Sequence, residues 1–187
     1  WNPDALRYAL ASVLPEQADS EISEQEMIRR NNEELVAAWG NLVQRVFAQI
    51  NNNFDKLGDI SDSEEIDTKL IFGFEEAYKN IGNLIEKVEL KSALQESMRC
   101  VSQVNAYLNE TEPWKIIKDD TKRAGRVLYT SLQAIDSCAN LLYPFMPTTS
   151  ENVRNAIPKT TECKWGVNEI KRGVELGQLE LLFKKFD

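Results

Sequence analysis

Asn41 and Arg45 stand four residues apart in a helix-forming run, flanked by Ala37, Ala38 and Ala48. Projected at about 100° per residue from Trp39, they fall near roughly 200° and 240°, opposite the apolar stripe. Side chains at this spacing are neighbours. On a face of small residues the pair can offer donors and an acceptor to a base edge or a phosphate. Spacing alone favours the plainer alternative, a solvated helix surface. Trp114 follows Pro113 after the polar stretch Asn109–Glu112, which places it in a loop off any helical stripe. A fixed, exposed indole can stack on an unpaired nucleobase, worth about 1–3 kcal/mol per base. Position alone favours an indole folded onto the bundle end. Asn105 lies about 40° from Val101, inside the apolar stripe of its own helix, and a buried amide must find partners. It reads as a positioning residue that ties the Tyr107–Trp114 turn to a neighbouring helix.

Other chemistry is thin. The 187 residues include no histidine, which removes imidazole bases, imidazole metal ligands and histidine-dependent triads. The three cysteines, Cys100, Cys138 and Cys163, form no C-x-x-C pair. A metal site is therefore not expected, and a reducing cytoplasm is. Cys100 and Cys138 sit among apolar neighbours and read as small core residues. No catalytic residue is expected in this chain. Thirty acids against 22 bases give a net charge of −8. Between Asn105 and Arg126, however, five basic residues face four acidic ones, a local rim suited to a few phosphate contacts and not to strong non-specific binding. The apolar stretch Ile135–Met146 is too short for a span of about 20 residues, and no leader precedes Trp1, so no membrane partner is expected.

These residues must be positioned by helices. Asn2-Pro3-Asp4 predicts a short helix over about 3–12, and Ser23 with Glu26 predicts a capping box opening a long helix to about Ile50. Helices over about 63–88, 90–108 and 120–143 follow, each with one apolar stripe. A short helix is predicted over 149–157. From Pro158 the glycines and sparse apolar residues predict an irregular tail, with Leu181, Leu182, Phe183 and Phe186 packed on the bundle. The fold class is all-α: an antiparallel bundle of four long helices, short flanking helices and a packed tail.

Together these stretches resemble the C-terminal helical domain of the methionyl-tRNA synthetase family. Asn2-Pro3-Asp4-Ala5-Leu6-Arg7-Tyr8-Ala9-Leu10 resembles the segment after that family's catalytic lysine-rich loop. Arg29–Leu35 with Gly40-Asn41-Leu42-Val43-Gln44-Arg45 resembles the start of its anticodon-binding bundle. Asn105-x-Tyr107 with Glu112-Pro113-Trp114 resembles the motif of its base-stacking tryptophan, and Gly177 with Leu181-Leu182-Phe183 its folded-back chain end. The resemblance implies three regions. Residues 1–22 would be a connector from a missing catalytic domain, 23–157 the anticodon-binding bundle, and 158–187 the tail. It implies that Trp114, set by Pro113, stacks on the first base of a CAU anticodon. Asn41 and Arg45 would bond the bases, with Asn105 and Tyr107 in support. Ala37 stands where some members carry another Asn. The partner implied is the anticodon loop of methionine tRNA. The intact cytoplasmic protein would be a methionine–tRNA ligase using ATP and Mg, with no cofactor held by this piece. Two alternatives stay open: the helical domain of a leucine, isoleucine, valine or cysteine synthetase, and a helical scaffold for another protein.

Overall fold

The computed structural model describes residues 1–14, 23–160 and 164–186. Helix α1 (Pro3–Ser12) begins as its start signal requires: the Asp4 amide donates to the Asn2 side chain, and Pro3 takes a first-turn position where no amide is needed. The Glu26 amide likewise donates to Ser23 Oγ. There begins a rod of three joined pieces: α2 (Glu24–Arg30), a π-helical segment (Asn31–Gly40) and α3 (Asn41–Asn53). The second helix is present as expected, but its middle is wound to i→i+5 bonding, which a single 3.6-residue stripe does not describe. Leu35 and Trp39 of the π segment are fully buried, and Asn31 turns inward with them.

Helices α4 (Glu65–Glu86), α5 (Leu90–Thr111), α6 (Pro113–Ile116), α7 (Thr121–Leu142) and α8 (Pro147–Ala156) complete an antiparallel all-α bundle, with no strand among the described residues. None of the described helices is long and apolar enough to cross a membrane. Helix α7 differs from its one-stripe reading. It lies at the centre, against α3, α4, α5, α6 and α8, and its residues from Ala124 to Leu142 are buried except Gln133. Several of the polar residues there find partners, although Ser137 Oγ is buried without one. Ser131 Oγ donates to the Val127 carbonyl, Asn140 donates to Tyr78 Oη and the Lys164 carbonyl, and Asp136 pairs with Lys159 at 2.8 Å. Cys100 and Cys138 are free, buried thiols, as the sequence suggests; Cys163 and residues 15–22 lie outside the described residues.

The tail is irregular and packs on the bundle. Leu182 and Phe183 are buried, Phe186 is half-buried against Trp1 (ring centroids 4.4 Å apart), and amides of Asn31 and Asn32 hold the Lys184 and Phe186 carbonyls. Leu181 is the exception: it is 63% exposed, while its neighbour Leu182 is buried. Gly177 crosses α8 so closely that a Cβ would stand 2.9 Å from Ala156 Cα.

Candidate nucleic-acid interface

Arg45 leaves α3 toward α5 and the α5–α7 connection. Its Nη2 donates to Asn105 Oδ1 at 3.2 Å, and its guanidinium carbon lies 5.6 Å from the centre of the Trp114 ring. Asn105 Nδ2 donates to the carbonyls of Ala38 and Val101, both at 3.2 Å. The amide orientation is forced, because arginine only donates and the two carbonyls only accept. Asn105 therefore locks α5 to the π segment and aims Arg45 at the indole. Arg45 has no carboxylate partner among the described residues, and its Nε is buried without a hydrogen bond. Its charge is left for the indole, where a cation–π contact contributes about 0.5–1 kcal/mol.

Trp114 sits in the short helix α6 and not in an open loop. The backbone reaches it through Glu112 at φ 41°, ψ 57°, a left-handed turn, and then Pro113 as the first helical residue. Pro113 is buried, so it orients the chain and presents nothing to a ligand. The Trp114 ring is half-buried: one part packs on the core and the remainder faces outward with Arg45 beside it. The Asn41 side chain, exposed one turn before Arg45 on α3, makes no hydrogen bond among the described residues, while its backbone amide donates to the Val36 carbonyl. Arg45, Asn105 and Trp114 thus converge, and Asn41 borders them.

Tyr107 points elsewhere. Its hydroxyl donates to Asp67 of α4 inside the bundle, away from Arg45. Asp67 also accepts from the Arg123 guanidinium of α7 and from the Glu64 amide at 2.9 Å. Burial raises the Asp67 pKa, but the bonds from Arg123 and Tyr107 overcome it, so the carboxyl stays below its ordinary range. Sequence reasoning missed Asp67 and counted Arg123 only as part of the basic rim, not as the partner of Asp67. The available signal was an acid at Asp67, in line with the Leu70–Phe74 stripe, the same kind of signal that exposed Asn105. The basic rim is also weaker than the sequence implies. Lys115 pairs with Glu112 (2.8 Å), Lys122 with Asp59 (3.0 Å) and Arg123 with Glu64 (2.9 Å). Approaching phosphates meet little unpaired positive charge from these three.

The family model for the anticodon binding domain of methionyl tRNA ligase matches residues 58–187. The chain belongs to that family. A second model, for class I tRNA synthetases (M), matches residues 1–47. Methionine–tRNA ligase of Bifidobacterium adolescentis is 42% identical over 159 residues, 84% of this chain and 26% of the relative. That of Beutenbergia cavernae is 38% identical over 160 residues, 86% of this chain and 26% of the relative. The chain thus spans about a quarter of the length of the curated relatives it matches. Crystal structures of Mycobacterium tuberculosis methionyl-tRNA synthetase share the fold: the apo form superposes with a TM-score of 0.89 at 21% identity, covering 98% of this chain and 39% of that one. The cluster is built across both matched regions, Arg45 and the Ala38 carbonyl from one, Asn105 and Trp114 from the other.

Proposed function

We propose that the chain binds the anticodon loop of methionine tRNA and reads CAU. In this reading the outward part of Trp114 stacks on the first anticodon base, and Arg45 and Asn41 hydrogen-bond base edges. Unpaired loops are recognised in this way, by splaying bases onto aromatic rings and bonding their edges. One observation carries the reading: an arginine without a carboxylate partner among the described residues is held by Asn105 against a half-buried indole at the outer surface. Ala37 and Ala38 leave space beside it. Tyr107 supports the site from behind, through Asp67.

The intact protein is then an ATP- and Mg-dependent methionine–tRNA ligase in the cytoplasm, with residues 1–22 linking a catalytic domain to the bundle at 23–157 and the tail at 158–187. Among the described residues no group of three or more metal-ligating side chains is assembled, and no residue here is assigned to ATP or Mg. The test is the affinity of the intact protein for labelled anticodon stem–loops. CAU is expected to bind tightest, and Trp114→Ala to weaken it about 5- to 150-fold, the equivalent of one stacked base. Equal affinity for leucine, isoleucine, valine or cysteine anticodons would refute the CAU reading. Unchanged RNA binding in Trp114→Ala would favour the protein-scaffold alternative.

A further inference from the structure

We infer that Asp67 is a positioning residue for Trp114, acting through both stems of the connection that carries it; the inference rests on the reading of Trp114 as the base platform. Asp67 lies in the first turn of α4 and is 1% exposed. One of its oxygens accepts from Tyr107 Oη near the end of α5, and from Arg123 Nη2 at 3.1 Å near the start of α7. The other accepts from Arg123 Nη1 and from the Glu64 amide. Arg123 is held further by Glu64 through Nε, and its own amide donates to Asp120. A single buried carboxylate on a third helix therefore fastens the chain on either side of Trp114.

That fastening matters because of what lies between the stems. Glu112 adopts the left-handed region at φ 41°, a conformation that side chains keep only where the surroundings over-determine it. The surface pair Glu112–Lys115 is too exposed to impose it alone. With both stems tied to Asp67, the turn at Glu112 and Pro113 has one way to close, and α6 presents Trp114 in one pose beside Arg45. Releasing either stem lets the turn relax and leaves the indole to be ordered at the moment of binding. Ordering one such side chain weakens affinity about 2- to 10-fold.

The experiment is a double-mutant cycle in the intact protein. Asp67→Asn and the milder Tyr107→Phe are each made alone and together with Trp114→Ala, and the affinity for a labelled CAU anticodon stem–loop is measured with the melting temperature. Each variant is expected to weaken binding about 2- to 10-fold when Trp114 is present and less than 2-fold when it is alanine, since nothing then remains to position. A loss of equal size in both backgrounds, or no loss with Trp114 present, overturns the inference. Should Asp67→Asn fail to fold, Tyr107→Phe, which keeps the ion pair and removes one donor, completes the cycle. If Trp114→Ala itself leaves affinity unchanged, the platform reading has failed. If it weakens binding while the cycle is additive, only the role of Asp67 has failed.

Discussion

Replacing Asn105 by alanine removes three hydrogen bonds: Nδ2 to the Ala38 and Val101 carbonyls, and Oδ1 from Arg45 Nη2. Each such bond contributes about 0.5–1.5 kcal/mol net. Asn105 is half-buried, so water can reach part of the gap and the lower end of the range applies. The expected loss of stability is about 1–2 kcal/mol, which lowers Tm by roughly 2–8 °C in a domain of this size. The second effect is on binding. Arg45 keeps its charge but loses the acceptor that aims it, and immobilising a long side chain on association costs about 0.5–1.5 kcal/mol. Affinity for a CAU stem–loop should therefore fall about 2- to 12-fold. Thermal melting and fluorescence anisotropy, run on the same preparation well below Tm, separate the two. A Tm fall with affinity changed less than 2-fold would show that Arg45 is not oriented by Asn105, and would refute the preorganisation argument.

Folded Asp67 titrates below its ordinary range, held there chiefly by Arg123 against the opposing effect of burial. The folded chain then binds fewer protons than the unfolded one as pH falls. Its contribution to stability is present above the ordinary carboxylate pKa and is lost as pH drops through the folded value. Urea unfolding from pH 6 to pH 3 should show a shallower decline in Asp67→Asn than in the parent; parallel curves would remove Asp67 from the acid sensitivity. Gly177→Ala places a Cβ against the Ala156 backbone and should destabilise the chain by about 1–3 kcal/mol, read by thermal melting, with an unchanged Tm ruling the contact out. Burial pushes the Cys100 thiol up to about 11 and raises Cys138 well above its usual value, so iodoacetamide at pH 8 should leave both unmodified in the native state and label both in urea. Mass mapping checks it, and rapid native labelling of either would contradict their burial.

The positions of the long helices were readable because local periodicity and capping chemistry carry them. Ser23, Asn2-Pro3 and the turn at Glu112-Pro113 mark boundaries within a few residues of those observed. The unusual residues were readable for the same reason. Asn105 breaks an apolar stripe, and Trp114 lies off every stripe just after a proline. Local patterning cannot say which side chain meets which across the bundle. The Arg45–Asn105 bond joins residues 60 apart and the Arg123–Asp67 pair residues 56 apart, and both depend on how the rods cross. Tyr107, one turn from Thr111 on the same helix as Asn105, reads from the sequence as part of the Trp114 side yet faces Asp67, because two positions along a helix rotate a side chain by about 200°. The π winding of Asn31–Gly40 and the outward turn of Leu181 belong to the same class. Each is set by what the neighbouring segment leaves room for, a quantity that exists only once the chain has packed.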